Sequence, residues 1–346
     1  MIEPSLPLIL EQICQGQHLN ESQAYNQFNN FLEGKLSDIE MSALLTALKA
    51  KGESPDEIIG ALAVLKKHSI PFESATHLKS KMKIVDCVGT GGDGQQSLNI
   101  STATAFVLAS LDIKVAKHGN RAVSSKCGSA DLFENLGINI EMSQIAAQKA
   151  LEQVGLCFLY APFYHPSLAK IRQVRSTLRV KTLFNLLGPL LNPIDPQILL
   201  VGVYNPKYCH LIAKVLQNAG VERALVIHGD GLDEIAIHGE TSGFLLKENE
   251  ITPFRISPEM AGLPYYSLSA IQGRDIAYNT NACLNLLQGK GIEAYRASVA
   301  MNTAALLWLT DKASSIKSGV EMAQNVMSTS LPYEKLIALK ELSHAK

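Results

Sequence analysis

The sequence carries almost no net charge. Its 31 lysine and arginine residues almost cancel its 32 aspartate and glutamate residues, so the net charge of the 346-residue chain is −1. A protein without a global positive field does not attract nucleic acid or an anionic membrane, and any anion site must therefore be local. We expect no nucleic-acid partner.

Paired cysteines and long apolar runs are also lacking. The six cysteines are widely separated and form no C-x-x-C pair. This spacing argues against a zinc site and a disulfide framework, and it favours reduced, mostly buried thiols. No apolar run approaches the ~20 residues of a membrane span, and no basic segment followed by an apolar stretch opens the printed sequence. We therefore expect a cytoplasmic protein with no membrane partner.

The order of the predicted elements indicates two domains. Residues 1–80 are predicted to be helical only, because cap residues such as Ser37 precede apolar stripes of helical spacing. From Lys83 onward, strand-like runs alternate with helical patterns, which is typical of βαβ units. We predict an α/β protein with a small all-helical domain at 1–80 and a larger α/β domain at 81–346, which has a mostly parallel central sheet and a helical C-terminus. Part of 162–196 is expected to pack on the helical domain.

The most informative segment is residues 89–102, Gly-Thr-Gly-Gly-Asp-Gly-Gln-Gln-Ser-Leu-Asn-Ile-Ser-Thr. A strand-like run at 84–88 precedes it, and a helical pattern from Ile100 follows it. Glycines and small polar residues between a strand and a helix N-terminus suit an anion, because free backbone N–H groups and the helix dipole both favour a phosphate.

Two common phosphate motifs match this loop only in part. The pattern G-x-G-x-x-G fits a dinucleotide site, but the acid about 20 residues farther on, Asp112, precedes its strand instead of ending it. The spacing of Gly89 and Gly94 fits the start of a P-loop, yet Gln95 and Gln96 stand where that motif needs lysine and serine or threonine. A glycine turn with a purely structural role is a further interpretation.

A second loop strengthens the phosphate interpretation. The next strand-like run leads into residues 117–131, which carry two lysines, one arginine, one asparagine and three serines. Adjacent βα loops of a parallel sheet meet at the carboxyl ends of its strands, so the two loops would form one pocket with many phosphate donors. Two clustered phosphates, as in a diphosphate ester, fit this composition better than one.

Several motifs together resemble the anthranilate phosphoribosyltransferase family, and they occur in that family's order. They are residues 86–93, 99–102, 117–125, 165–166, 174–175, 182–189, 192–193 and 230–234. The resemblance implies a fold like those of nucleoside phosphorylases and phosphoribosyltransferases, a homodimer, and Mg²⁺ as cofactor. It also implies transfer of the phosphoribosyl group of phosphoribosyl diphosphate (PRPP) to the amine of anthranilate, in tryptophan biosynthesis.

The resemblance further implies roles for individual residues. Anthranilate is expected at Gly89, Asn120 and Arg175, because a forked guanidinium suits its carboxylate. The metal is expected at Ser101, Asp233 and Glu234, because Mg²⁺ prefers oxygen ligands. The residues expected to bind PRPP are Gly89, Gly92, Asp93, Ser97, Asn99, Ile100, Ser101, Thr102, Lys117, His118, Gly119, Asn120, Arg121, Ala122, Val123, Ser124, Ser125 and Ser129.

Plainer interpretations stand beside these roles. Asp233 and Glu234 also fit an acidic surface turn, and the arginines at 172, 175 and 179 fit a solvated basic face of a helix over 168–180. His118 is a candidate general base, but an aryl amine is neutral at pH 7 and attacks without prior deprotonation, so we favour a role in shaping the pocket. His228 and His238 have no evident partner and are expected to be structural.

The sequence departs from the usual family pattern at four positions. Gln173, Arg179, Lys181 and Cys127 stand where proline, glycine, arginine and serine, respectively, are usual. The first three flank Arg175, so they bear on how anthranilate binds more than on the phosphoribosyl site.

Two other functions remain open at this point. A pyrimidine nucleoside phosphorylase-like enzyme would share the two-domain architecture and a glycine-rich phosphate loop, although residues 99–102 and the paired acids at 233–234 argue against it. A non-catalytic protein that retains the phosphate pocket is the alternative from a different class.

Overall fold

The N-terminal part of the chain is a helical domain. The computed structural model describes residues 4–122 and 126–345. Within these residues the chain begins with helices α1 (Leu6–Cys14), α2 (Glu21–Leu32), α3 (Asp38–Lys51), α4 (Pro55–Lys67) and α5 (Ala75–Lys81). Capping boxes begin α2, α3 and α4, because in each helix a cap side chain and the N3 side chain exchange hydrogen bonds with the backbone. Helix α2 packs against α4, and α1 packs against α3.

A single sheet organises the larger domain. Within the described residues its strands are β1 (Ile84–Gly89), β2 (Lys114–Gly119), β3 (Leu156–Tyr160), β4 (Ile198–Gly202), β5 (Arg223–Gly229), β6 (Thr241–Lys247) and β7 (Glu250–Ile256). The spatial order is β3-β2-β1-β4-β5-β6-β7, in which the β5–β6 and β6–β7 pairs are antiparallel and the other four pairs are parallel. The predicted fold class, a helical domain plus an α/β domain with a mostly parallel sheet, is confirmed.

The β6–β7 hairpin escaped the sequence analysis for a local reason. Its two-residue turn, Glu248-Asn249, has φ values of 54° and 61°. Such turns usually carry Asn-Gly or Asp-Gly, and glutamate in the first position removes that signal.

Eleven α-helices in the described residues follow the first strand. They are α6 (Ile100–Ser110), α7 (Ser129–Asn135), α8 (Gln144–Gln153), α9 (Ala161–Tyr164), α10 (Leu168–Leu178), α11 (Phe184–Leu187), α12 (Cys209–Asn218), α13 (Ile276–Leu287), α14 (Glu293–Leu309), α15 (Ile316–Val326) and α16 (Leu331–Ser343). Helix α6 is almost wholly buried and packs against α14 and α16. No helix in the described part of the chain has the length and apolar character needed to cross a bilayer.

The sheet separates two apolar cores. Leu200 belongs to the core formed with α6 and α14, whereas its neighbours Leu199 and Val201 belong to the core formed with the N-terminal helices. Successive residues of a strand point to opposite faces, which explains this division. Ile171 and Val174 of α10 lie in the second core, so α10 packs with the N-terminal helices.

Glycine ends four neighbouring strands at one edge of the sheet: β1, β2, β4 and β5. Gly89 and Gly202 are paired in register. A Cβ atom at Gly202 would overlap the backbone carbonyl of Asp233, and one at Gly89 would overlap the Asp233 carboxylate. The absence of side chains at these strand ends therefore lets the segment 230–236 pack directly on them.

Replacing Gly202 by alanine would push the segment at Asp233 off the strand end. We expect this overpacking to lower the free energy of unfolding by about 2 kcal/mol, measured by urea denaturation followed by circular dichroism. Gly188→Ala is a matched control, because Gly188 has a φ of −48° and a Cβ there meets nothing within 4 Å. The control is not expected to lower stability, and equal stability of the two variants would contradict the argument.

Candidate active site

The glycine loop and the acidic turn meet at the carboxyl ends of β1, β4 and β5. Within the loop, Gly91, Gly92 and Gly94 adopt φ values of 68°, 78° and 83°, which glycine accommodates without strain. The backbone N–H of Gly91 donates to Oδ2 of Asp233 at 2.6 Å. The backbone N–H of Asp233 in turn donates to Oδ2 of Asp93 at 3.4 Å. These two bonds hold the predicted phosphate loop against the predicted metal-binding acids.

Of the two acids of this turn, Asp233 is buried and Glu234 is half-buried. Asp233 is 9% exposed, and burial, reinforced by the nearby charges of Asp93 and Glu234, raises its pKa well above the usual range. Burial also raises the pKa of Glu234 to about 7, although the positive charge of Lys117 opposes this shift. The interpretation as an acidic surface turn therefore does not fit the structure.

The acids suit a metal ion that arrives with phosphate ligands of its own. In residues 4–122 and 126–345, no three His, Cys, Asp or Glu side chains form a complete metal-binding group. Mg²⁺ commonly takes one or two carboxylates and completes its shell with substrate phosphates and water. Asp233 and Glu234 offer such carboxylates, and the backbone N–H of Ser101 donates to Oε1 of Glu234 at 3.2 Å. The predicted metal-binding residues thus come together in the structure.

The start of α6 is more occupied by protein contacts than the sequence suggested. The side chain of Asn99 does not cap the helix. Its Nδ2 donates to the carbonyl of Cys127 at 3.1 Å, and its Oδ1 accepts from Asn279 at 3.1 Å. The hydroxyl of Tyr295 donates to the Asn99 carbonyl at 3.0 Å. Asn99 is therefore hydrogen-bonded to three separate segments of the chain. The backbone N–H of Ser101 is also already bonded, to the carboxylate of Glu234.

Of the other predicted residues in this stretch, Ile100 and Thr102 are buried and Ser97 is half-buried. Ile100 and Thr102 are each 1% exposed, and Oγ1 of Thr102 has no hydrogen-bond partner in the described part of the chain. Ser97 forms an isolated β-bridge with Gln272, which fixes the end of the glycine loop. A buried hydroxyl without a partner is costly, so Thr102 is the residue here with an unused polar group.

Lys117 lies beneath the loops instead of projecting from them. Its side chain is 2% exposed, and its ammonium donates to the carbonyl of Cys87 at 2.8 Å. Asp86 is also fully buried; burial raises its pKa to about 6, and the charge of Lys117 opposes that rise. Oδ2 of Asp86 accepts from Asn192 at 2.9 Å and from the backbone of His118 at 3.4 Å. Asp86 and Asn192 stand in motifs of the sequence that predict no role for either residue.

The second loop is organised by an aspartate that the sequence analysis missed. Oδ2 of Asp131 accepts from the backbone N–H groups of Ala122 and Gly128, both at 2.9 Å. Arg121 donates to Asp131 at 3.2 Å and to both carboxylate oxygens of Glu134, at 2.7 and 2.9 Å. The charge of Arg121 is therefore already neutralised by protein carboxylates.

The remaining predicted residues of this loop lie close together. The hydroxyl of Ser129 donates to the carbonyl of Asn120 at 3.4 Å, and a Cβ at Gly119 would overlap that hydroxyl. Oδ1 of Asn120 accepts from the backbone N–H of Arg121 at 2.7 Å. Three further predicted residues lie outside the described residues: Val123, Ser124 and Ser125.

His118 and His165 form a buried pair, with ring centroids 5.6 Å apart. Burial lowers the pKa of His118 to about 3 and also lowers that of His165, so both rings are neutral at pH 7. Nε2 of His118 and Nδ1 of His165 have no hydrogen-bond partner among the described residues. A base with so low a pKa accepts a proton poorly, which agrees with a role for His118 in shaping the pocket.

Arg175 stands apart from the phosphate loops. It lies on α10, and burial lowers the pKa of its guanidinium. In the described residues no carboxylate pairs with it, and no hydrogen bond joins its side chain to the other predicted site residues. A half-buried guanidinium without a counter-charge suits a ligand carboxylate.

The expectation that three arginines share one helical face is corrected by the structure. Helix α10 ends at Leu178, and Arg179 follows it in the left-handed region with φ of 50°. That conformation explains why glycine is usual at this position in the resembling family. Arg172 and Arg179 are exposed, whereas Arg175 is half-buried.

The expectation that His228 and His238 have no partner is wrong. Both rings form hydrogen bonds, and these bonds are structural. His228 donates from Nδ1 to the carbonyl of Val203 at 2.8 Å and accepts at Nε2 from the backbone of Gly231 at 3.0 Å. Nε2 of His238 bonds the carbonyl of Asp230 at 2.9 Å. Both rings therefore brace the acidic turn, through backbone groups that no sequence motif marks.

Comparisons with known proteins show the family to which this chain is similar. Residues 81–331 match the "Glycosyl transferase family, a/b domain", and residues 7–69 match the "Glycosyl transferase family, helical bundle domain". The anthranilate phosphoribosyltransferase of Pseudoalteromonas translucida is 43% identical over 99% of this chain and 96% of its own length. The enzyme of the same name from Colwellia psychrerythraea is 43% identical over 99% of this chain and 93% of its own length.

Solved structures give the same result. The crystal structure of anthranilate phosphoribosyltransferase from Thermus thermophilus superposes with a TM-score of 0.87 and 33% identity, over 97% of this chain and 99% of that one. The Saccharomyces cerevisiae enzyme in complex with PRPP and Mg superposes with a TM-score of 0.85 and 25% identity, over 98% of this chain and 97% of that one. Sequence and fold together show that this chain belongs to the anthranilate phosphoribosyltransferase family.

Proposed function

We propose that this chain transfers the 5-phosphoribosyl group of PRPP to the amine of anthranilate, giving N-(5-phosphoribosyl)anthranilate and diphosphate in tryptophan biosynthesis. The observation that carries the proposal is the attachment of the glycine loop to a buried acidic turn, through the bond from Gly91 to Asp233. The family's name and the PRPP and Mg in the yeast complex support the same reaction.

The chemistry requires stabilisation of the leaving diphosphate. Negative charge grows on it as its bond to ribose breaks, and preorganised positive charge lowers the barrier. Bound at Asp233, Glu234 and Ser101, Mg²⁺ would supply part of that charge. The ammonium of Lys117 adds to it from a buried position, where electrostatic interactions are stronger than in water. The loop amides that are not already bonded would orient the phosphates.

The acceptor needs positioning rather than activation. The aryl amine attacks as the neutral species, so the enzyme must hold it in line and keep competing water away. We place its carboxylate on Arg175 and its ring beside the buried pair of His118 and His165. Gly89 ends β1 and Asn120 directly follows β2, where the amine would approach the ribose.

A mixed assay tests the function. The fluorescence of anthranilate is expected to fall only when PRPP and Mg²⁺ are both present, with one diphosphate released for each anthranilate consumed. Phosphorolysis of uridine or thymidine in the presence of phosphate would instead support a nucleoside phosphorylase. Saturable binding of PRPP without any turnover would identify a non-catalytic binding protein.

Removing the charge of the acidic turn tests the metal site. In the double variant Asp233→Asn, Glu234→Gln, we expect turnover at fixed Mg²⁺ to fall by about 100-fold or more, because the metal loses both carboxylates. Asp230→Asn is the matched control, since Asp230 belongs to the same turn but is exposed. Steady-state rates over a Mg²⁺ titration measure the effect. Equal Mg²⁺ dependence in both variants would remove the two acids from the site.

Arg175→Ala tests the acceptor site. We expect the KM for anthranilate to rise about tenfold to 100-fold, with the KM for PRPP changed less than about twofold, because one charge-assisted contact is lost. Arg172→Ala removes an exposed arginine from the same helix and is expected to leave both constants unchanged. Initial-rate kinetics with each substrate varied in turn provide the measurement. An unchanged KM for anthranilate in Arg175→Ala would exclude the assignment.

We also propose a homodimer in the cytoplasm. Leu8 on α1 is 64% exposed and Ile39 on α3 is 82% exposed, and these two helices pack against each other. A second copy that covers this surface would remove its apolar side chains from water. Light scattering measures the mass in solution, and cell fractionation tests the location; a monomer at micromolar concentration would contradict the dimer.

A further inference from the structure

The side chain of Lys181 extends over the glycine loop from outside it. Lys181 lies between α10 and α11, three residues after the end of α10. A Cβ at Gly92 would lie 3.3 Å from Cε of Lys181 and 3.8 Å from its Nζ. The absence of a side chain at Gly92 therefore leaves the surface on which the stem of Lys181 rests.

An aromatic ring supports the other side of the Lys181 ammonium. Nζ of Lys181 stands 4.2 Å from the centroid of the Tyr204 ring. Tyr204 is itself attached to the glycine loop, because its backbone N–H donates to Oγ1 of Thr90 at 3.0 Å. Gly92, which belongs to the loop, and Tyr204, which is bonded to it, together position the ammonium beside the loop.

The charge of Lys181 has no ionic counterpart in residues 4–122 and 126–345, where no carboxylate lies within ion-pair distance of it. A cation–π contact attracts an exposed ammonium more weakly than a charge-assisted bond to phosphate does. Burial lowers the pKa of nearby Lys49; the negative charge of Glu53 opposes this shift, and the charges of Lys207 and Lys181 add to it. The nearby charges therefore have both signs, and the charge of Lys181 itself is the one directed over the glycine loop.

We propose that Lys181 binds the diphosphate group of PRPP, held ready over the glycine loop by Tyr204. This inference rests on the proposed function, because it takes PRPP as the ligand. The diphosphate end is favoured over the 5-phosphate because the loop is bonded through Gly91 to Asp233, one of the acids expected to hold the metal. A metal at those acids takes phosphate oxygens of the same group. Through Lys181, the segment between α10 and α11 would contact the leaving diphosphate.

Lys181→Met tests this role, because methionine keeps an apolar stem of similar length and removes the charge. We expect the KM for PRPP and the inhibition constant of inorganic diphosphate with Mg²⁺ each to rise about tenfold. The KM for anthranilate and kcat are expected to change less than about threefold. Lys181→Arg should restore diphosphate affinity, since it keeps the positive charge. A general loss of structure would instead lower kcat and affect both substrates.

Lys207→Met is the matched control, because Lys207 lies over the neighbouring ring, with Nζ 4.8 Å from the centroid of Tyr208. It is expected to bind diphosphate as the unaltered protein does. Calorimetric titration with diphosphate and Mg²⁺ measures binding without turnover, so it separates this inference from the proposed reaction. Normal diphosphate binding by Lys181→Met, an equal loss in Lys207→Met, or a loss confined to ribose 5-phosphate would overturn the assignment of Lys181. An unaltered protein that binds diphosphate yet consumes no anthranilate would overturn the reaction alone, and one that binds no diphosphate would overturn both.

Discussion

The candidate site depends on the close packing of the acidic turn against strand ends that carry no side chains. Glycine ends β1, β4 and β5, and a Cβ at Gly89 or Gly202 would overlap Asp233. This contact places the carboxylate of Asp233 within reach of the amide of Gly91. A larger residue at either position would separate the phosphate loop from the acids. A backbone constraint at the sheet edge thus determines the distance between the two halves of the site.

That packing has an electrostatic consequence. The turn buries Asp233 and half-buries Glu234, and the pKa of each carboxyl rises. Lys117 and Asp86 lie beneath the same loops, and the charge of Lys117 opposes the rise in the pKa of both Asp86 and Glu234. Buried charges are costly unless they are paired, so the arrangement is most stable when a cation joins the acids. A cation bound beside these carboxyl groups would therefore be stabilising.

Much of the fold and part of the site were accessible from sequence because they depend on local patterns. Cap residues such as Ser37 predicted the helix starts, and the alternation of strand-like and helical runs predicted the parallel sheet. The glycine loop was placed correctly between a strand and a helix. The burial of Asp233, the support that His228 gives to the acidic turn, and the organising role of Asp131 were not accessible. Each depends on backbone groups brought together from distant segments, which leave no periodic signal.

The sequence by itself determined the class of protein, the order of its elements and the residue types of a phosphate site, because hydrophobic period, turn chemistry and ordered motifs are local properties. Only the tertiary structure decided which of those residues are available to a ligand. Arg121 is already paired with Glu134, and Asn99 is bonded on both side-chain atoms, whereas Arg175 and Lys181 have no carboxylate partner in the described residues. The physical reason is that a charged or polar group is free or satisfied according to what packs beside it, and packing joins residues far apart in the chain.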